Sequence, residues 1–317
     1  MTDKLTFGGV SIPDQVIGST WMSELPVGIL GTGFRSLQSG ARFGTFPEYV
    51  TFQERLVTEG LAFSATQSIW LDPSRENPDS FSNGTAVFGA LDTSLFHGHL
   101  VTVPVSNSLN TSVANIPFNW NVPVSSIRKT FGSHRNFVHD TNGLSCILDT
   151  GTAFIALPNA TFVKLLAAFP TAVLNDSVVP AIYQVPCSER DNPKNSLTFT
   201  FFDPRRPHVN VDIEVPAWQV IWPAHNLALG ADPNTCGIAA FAWEYYFGGT
   251  SLEHLFNCVI GVNVLKSAYI VYDLGNREAS IAPAKQKLGP RRYLRIPAGG
   301  VSHVGVGIVP EARKTTA

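Results

Sequence analysis

The stretch "SCILDTGTAFIALP", residues 145–158, joins an apolar run to the only Asp-Thr-Gly in the 317-residue chain. Ile147 and Leu148 are suited to anchor a strand in a core, and Gly151 permits a turn that a side chain would obstruct. The stretch therefore predicts a buried strand that ends by presenting the Asp149 carboxylate on a tight turn. Acid–base chemistry by carboxylates alone works with a pair, one as base and one as acid, so a second carboxylate has to be sought.

The composition favours a strand-rich protein with a neutral surface. Charged residues make up 15% of the chain, whereas an average domain has roughly 25%, and Gly (26) and Pro (22) are plentiful. Short β-branched and aromatic runs between turns are typical of strands. A net charge of −2 gives no basis for a nucleic-acid or anionic-membrane partner. No apolar run reaches the about 20 residues that span a bilayer.

Two features predict the secretory route, although the opening "MTDKLTFGGV" lacks the apolar core of a signal peptide. Four cysteines would permit two disulfides, which suits an oxidising compartment. Four glycosylation sequons begin at Asn83, Asn110, Asn159 and Asn175. We expect a glycoprotein whose full-length parent is extracellular or vacuolar, with the leader missing from this chain.

Local patterns predict a hairpin around Gly8-Gly9 and two short helices among many strands. The first helix is expected between Pro47 and Gly60, and the second is expected to end at Pro170. Residues 285–317 are rich in Lys and Arg and contain a single acid, Glu311, which predicts a basic, disordered tail. A basic docking segment is the alternative for this tail.

Two segments share an apolar-apolar-Gly run: "PVGILGTGF" (26–34) and "NCVIGVNVL" (257–265). Such a repetition predicts a fold made of two related halves. The Gly31-Thr32-Gly33 in the first segment does not indicate a dinucleotide site, because no third glycine follows at the required spacing.

The chain resembles the pepsin-like aspartic peptidases of the fungal secreted or cell-surface type, over about residues 5–284. The resemblance is carried in order by "LTFGGVSIPDQVIG" with "GILGTGF", then "GTAVFGALDTSLFHGHLVTVPV", "ILDTGTAFIALP" and "VIGVNVLKSAYIVYDLGNREASIAPA". It implies an all-β, bilobal fold with an incomplete N-terminal lobe over 1–105 and a C-terminal lobe over 106–284. The family's first Asp-Thr-Gly and its flap lie upstream of the matched part, so we expect this chain to be N-terminally truncated.

The resemblance also implies roles for individual residues. Asp149 is the expected catalytic residue of an aspartic-type endopeptidase, and Thr150, Gly151 and Thr152 are expected to support its loop. Ala153 stands where the family usually has Ser. The family uses no metal or organic cofactor, acts on protein or peptide substrates, and is expected here as a monomer.

The resemblance predicts the pairing of two of the four cysteines. Cys187 and Cys236 match the family's C-lobe disulfide, which the resemblance therefore predicts. Cys146 and Cys258 could meet beside the catalytic loop, but buried free thiols are the favoured expectation for them.

The chain contains no second Asp-Thr-Gly that could supply the other catalytic carboxylate. Asp92-Thr93-Ser94 is rejected as a substitute, because it falls in the segment that closes the family's N-terminal lobe and lies only 57 positions before Asp149. We therefore expect little or no hydrolysis by this chain alone. The alternative function is a non-catalytic relative that binds peptides or a partner protein.

Overall fold

The computed structural model describes residues 1–18, 28–38, 47–73, 83–105, 119–131, 134–139, 143–177, 181–227, 232–244, 258–286 and 289–304. Strands dominate and the helices are short. The strands are β1 (Thr2–Phe7), β2 (Val10–Val16), β3 (Thr66–Leu71), β4 (Gly84–Phe88), β5 (Ala90–Asp92), β6 (Val101–Pro104), β7 (Asn121–Phe131), β8 (His134–His139), β9 (Leu144–Leu148), β10 (Ile155–Leu157), β11 (Val173–Asn175), β12 (Ile182–Pro186), β13 (Ser196–Asp203), β14 (Arg206–Pro216), β15 (Ile221–Pro223), β16 (Thr235–Ile238), β17 (Ala240–Ala242), β18 (Cys258–Ile260), β19 (Ala268–Asp273), β20 (Glu278–Pro283) and β21 (Tyr293–Arg295). The helices are α1 (Phe52–Thr58), α2 (Asn159–Ala167), α3 (Cys187–Asp191), α4 (Ala217–Val220) and α5 (Val262–Leu265), with 3-10 turns at Arg35–Leu37, Ala224–Leu227 and Val301–His303. The predicted all-β class is confirmed.

One large sheet carries the Asp149 segment. Its strand order is β14-β13-β7-β9-β18-β10-β17, and β8 pairs with β7. Most neighbours are antiparallel, but β9 with β18 and β10 with β17 are parallel. A parallel pair has to be joined by a long connection, and here the strands that flank Asp149 come from distant parts of the chain.

A second sheet joins strands from residues 66–104 to strands from residues 268–283, in the order β4-β3-β19-β20-β6. β19 lies at its centre between β3 and β20, and all six of its residues are buried. Burial on both faces explains why "AYIVYD" reads as an almost continuous apolar run instead of an alternating one. The predicted lobe boundary near residue 105 stays a prediction, since 106–118 lie outside the described residues.

The predicted hairpin is confirmed, and the first helix is shorter than predicted. β1 and β2 pair antiparallel around Gly8 (φ 57°) and Gly9 (φ 81°), the left-handed backbone that a tight hairpin turn requires. α1 begins at Phe52 and not at Pro47, because Thr51 and Glu54 form a reciprocal capping box that fixes the first turn.

Residues 289–304, here called the C-terminal strap, correct the prediction of a disordered tail. β21 pairs antiparallel with β5, and Ile296 and Val301 are fully buried in a core cluster beneath it. Ser64 Oγ donates a hydrogen bond to Ile296 O at 2.8 Å. These two apolar residues hold the strap against β5 and the core cluster, although the composition of the segment is basic. The remainder of the predicted tail, 305–317, lies outside the described residues.

The predicted Cys187–Cys236 disulfide is present, with a Cα–Cα distance of 5.0 Å. It joins α3 to β16. Among the described residues, no helix is long and apolar enough to cross a membrane.

Lys129 provides a pH-dependent test of the C-terminal core. Its side chain is buried in β7, with Nζ 4.5 Å from the centre of the Phe169 ring. Burial lowers the pKa of Lys129 to about 8, although the negative charge of Glu189 opposes this shift. The unfolded chain holds the proton up to a pKa of about 10.4. The folded state therefore disfavours the charged lysine, and stability should rise between about pH 8 and pH 10.

We expect Lys129→Met to remove that rise and to stabilise the protein at pH 7 by about 2 kcal/mol. Methionine keeps a favourable contact with the Phe169 ring without a buried charge. Urea unfolding at several pH values measures the effect, with the exposed Lys164→Met as the matched control. An unchanged pH profile in Lys129→Met would contradict the prediction.

Candidate active site

Asp149 lies directly after β9, at the carboxyl end of the strand, where the chain turns at Thr150-Gly151. The strand residues before it are largely buried in the sheet core, whereas Thr150 and Gly151 are exposed and Asp149 is half-buried. The strand thus delivers a carboxylate from the core to an accessible turn, as the sequence predicts.

The Asp149 carboxylate is held by its own turn. Its Oδ1 accepts a hydrogen bond from the Gly151 backbone N–H at 2.8 Å, and its Oδ2 accepts one from Thr152 Oγ1 at 2.6 Å. Two short hydrogen bonds to a charged acceptor fix the carboxylate plane. Of the three predicted supporting residues, the structure brings Gly151 and Thr152 onto the carboxylate, and the Thr150 side chain is exposed.

The neighbouring strand β18 holds the turn from the other side. Asp149 N donates to Ile260 O at 3.0 Å, and Val262 N donates to Thr152 O at 2.7 Å. Gly261 sits between these two bonds and touches the turn so closely that a Cβ there would lie 2.3 Å from Phe154 O and 2.4 Å from Thr152 O. The site therefore requires glycine at this position.

The expectation of free thiols at Cys146 and Cys258 is wrong, because the two residues form a disulfide. They are paired directly across the parallel strands β9 and β18, with their Cα atoms 4.3 Å apart. Local sequence patterns do not reveal the register of strands 112 positions apart, so this pairing could not be derived from spacing.

An aromatic group that sequence reasoning did not single out lies near the carboxylate. Tyr272 of β19 is fully buried, and its hydroxyl has no hydrogen-bond partner among the described residues. Burial raises the pKa of Tyr272 strongly, and the negative charge of Asp149 adds to the rise. Its ring packs on Trp120 at 4.9 Å between centroids, and Trp120 packs on Phe34 at 4.5 Å. The phenol therefore stays protonated beside an apolar wall.

The Asp92 carboxylate has hydrogen-bond partners in its own turn and in the segment 289–304. Asp92 is fully buried, and its carboxylate accepts hydrogen bonds from Ser94 and from the backbone N–H of Arg292. Within the described ranges, the hydrogen bonds to the Asp149 carboxylate come from its own turn. No group of three or more potential metal ligands occurs in the part of the chain that the structure describes.

Comparison with known proteins identifies the family of the chain. The family model described as eukaryotic aspartyl protease matches residues 1–284. The probable aspartic-type endopeptidase OPSB of Arthroderma benhamiae is 28% identical over 319 residues, which cover 98% of this chain and 58% of the relative. Secreted aspartic protease 5 of Candida albicans is 25% identical over 283 residues, 89% of this chain and 56% of the relative. The chain thus spans less than two thirds of these relatives.

A solved structure supports the fold. The crystal structure of the aspartic proteinase from Irpex lacteus superposes with a TM-score of 0.69 and 24% sequence identity. The superposition covers 90% of this chain and 76% of the other. The shared architecture is therefore the two-lobed, strand-rich one described above.

Proposed function

The chain belongs to the eukaryotic aspartyl protease family, and from this we propose that it serves as part of an aspartic-type endopeptidase with Asp149 as a catalytic carboxylate. The observation that carries the proposal is the Asp149 turn, in which both carboxylate oxygens are oriented by Gly151 and Thr152. Thr150 and Gly151 of this turn are exposed, so a peptide can approach the carboxylate from solvent.

The proposed reaction is hydrolysis of a peptide bond by water. Two neighbouring carboxylates share one proton, because both cannot ionise cheaply at close range. The ionised carboxylate takes a proton from water, and the protonated one donates its proton to the carbonyl oxygen. Asp149 supplies one of these groups, and the sequence contains no second Asp-Thr-Gly to supply the other. The 317-residue chain alone should therefore hydrolyse peptides at close to the background rate.

A non-catalytic function is the second candidate, and the single Asp-Thr-Gly is the observation that favours it. In that case the surface around the Asp149 turn would bind a peptide or a partner protein without cleaving it. The two candidates share the binding step and differ in whether a second carboxylate reaches the bound peptide.

We also propose the secretory route for this protein. Two disulfides suit an oxidising compartment, and relatives in Candida albicans carry the name secreted aspartic protease. The sequon residues Asn83 and Asn159 are exposed, whereas Asn110 lies outside the described residues. A monomer remains our prediction for the oligomeric state.

The proposal is tested with pepstatin, a peptide whose secondary hydroxyl mimics the tetrahedral intermediate. We expect pepstatin to bind the 317-residue chain weakly and to shift the NMR signals of Gly151 and Thr152. Asp149→Asn should weaken this binding about ten- to hundredfold, because a charge-assisted hydrogen bond contributes roughly 1.5–3 kcal/mol. Hydrolysis of a protein substrate between about pH 3 and pH 5 should stay near background.

The matched control is Asp212→Asn, which changes a half-exposed aspartate on β14. It should leave pepstatin binding unchanged. Binding that is absent, or equally strong in Asp149→Asn, would contradict the role of Asp149.

A further inference from the structure

The Cys146–Cys258 disulfide lies three residues before Asp149 on β9 and three residues before Gly261 on β18. We propose that this bridge is a positioning element of the site: it fixes the register of the two strands and thereby the orientation of the Asp149 carboxylate. The inference rests on the proposed function only in taking Asp149 as the reactive group.

The pairing of β9 with β18 is short. It comprises Cys258 with Cys146, Val259 with Ile147, and Ile260 with Leu148. A parallel pair of this length gains few hydrogen bonds, and its two strands are separated by 112 positions in the chain. β7 pairs with β9 and β10 pairs with β18 on their other sides. The covalent bond between directly opposed residues adds a direct constraint on the register of β9 relative to β18.

The site tolerates a single register. Asp149 N binds Ile260 O, Val262 N binds Thr152 O, and Gly261 fits between them with no space for a Cβ. A shift of one residue would bring the side chain of Ile260 or Val262 to the place of Gly261. The disulfide excludes that shift, because Cys146 and Cys258 meet only in the observed register.

The Cys146–Cys258 disulfide lies in the protein core and not at the surface. Both cysteines are completely buried in the main core, and β18 is buried throughout. The other disulfide, Cys187–Cys236, joins α3 to β16, and neither of its residues contributes to the hydrogen bonds of the Asp149 turn. The Cys187–Cys236 disulfide therefore serves as a control for the Cys146–Cys258 disulfide. The cysteines of the control are 49 positions apart in the chain, and those of the proposed positioning bridge are 112 positions apart.

The test is NMR-detected amide exchange in the 317-residue chain, which needs no substrate. In Cys146→Ala/Cys258→Ala, we expect the Asp149 and Val262 amides to exchange about tenfold faster relative to amides of β19. The Gly151 amide signal should also move, because its hydrogen bond to the carboxylate is loosened. In the control Cys187→Ala/Cys236→Ala, the melting temperature should fall while these three amides keep their relative rates.

Equal changes at the Asp149 turn in both double variants, or none in either, would overturn the proposal and leave the bridge a general stabiliser. If the alanine pair does not fold, Cys146→Val/Cys258→Ala keeps more of the core volume and answers the same question. Two free thiols in the denatured, unreduced protein would overturn it at once. Failure of the wild-type chain to bind pepstatin would contradict the proposed function alone, since the amide-exchange measurement does not depend on pepstatin.

Discussion

Gly261→Ala is expected to lower the free energy of unfolding by about 3 kcal/mol, at the upper end of what an added methyl group does in a packed core. The new Cβ would lie 2.3 Å from Phe154 O, 2.4 Å from Thr152 O and 2.9 Å from Phe154 N. All three are backbone atoms, so no side-chain rotation can relieve the overlap. The strands on both sides have to move apart, and the hydrogen bond from Val262 N to Thr152 O should be lost with them.

Gly31→Ala is the matched control, because Gly31 closes the other apolar-apolar-Gly run. A Cβ on Gly31 would meet nothing within 4 Å, so the change should alter stability by less than about 1 kcal/mol. Thermal and urea unfolding of the two variants measure the difference. Equal stabilities would contradict the close approach of β18 to the Asp149 turn.

Asp92→Asn should destabilise the protein by about 3 kcal/mol, because it weakens several charge-assisted hydrogen bonds at once. The buried Asp92 carboxylate accepts from Ser94 N at 2.9 Å, Ser94 Oγ at 2.6 Å and Arg292 N at 3.0 Å, and Arg291 lies 3.4 Å away. Asparagine keeps the shape but offers one acceptor and brings two N–H groups of its own. The C-terminal strap should then become accessible to proteases near Arg291 and Arg292.

The loss of stability in Asp92→Asn should become smaller as the pH falls. Burial raises the pKa of Asp92, but the hydrogen bonds from Ser94 and Arg292 outweigh it, so the pKa is lowered overall. A carboxyl group with a lowered folded pKa contributes its full stability above the unfolded pKa of about 3.9 and loses it as the pH falls through the folded pKa. The stability difference between wild type and Asp92→Asn should therefore shrink below about pH 4.

Asp3→Asn serves as the control for this series, since Asp3 is exposed on β1. It should change neither the stability at pH 7 nor the protease sensitivity of the strap. A stability difference for Asp92→Asn that stays constant from pH 7 to pH 2 would contradict the buried, ionised state of Asp92.

Much of this structure could be predicted from short-range patterns. Gly8-Gly9 between alternating residues predicts the first hairpin, since the turn and its strands are contiguous. The Asp149 turn follows from the apolar run before it and from Gly151 after it. The Cys187–Cys236 pairing came from the resemblance to a family, not from the spacing of the cysteines.

Long-range features escaped the same reasoning. The order of the strap cannot be predicted from its sequence, because Ile296 and Val301 are isolated in a basic, glycine-rich segment and only the tertiary structure shows what they pack against. The two apolar-apolar-Gly runs predict two related halves of the fold. However, Ile29 is 79% exposed whereas Val259 and Ile260 are buried, because the second run lies inside a sheet. Pairing with neighbouring strands, and not residue type, determines which of the two runs contacts the Asp149 turn.

A crystal structure of the 317-residue chain with pepstatin bound, at about pH 4, tests most directly whether Asp149 is the only carboxylate that this chain supplies to the site. We predict the inhibitor hydroxyl on the Asp149 carboxylate, with the hydrogen bonds from Gly151 and Thr152 in place. No other carboxylate of the same chain should contact that hydroxyl. A second aspartate or glutamate of this chain facing Asp149 across the inhibitor, or an inhibitor bound away from the Asp149 turn, would contradict the account.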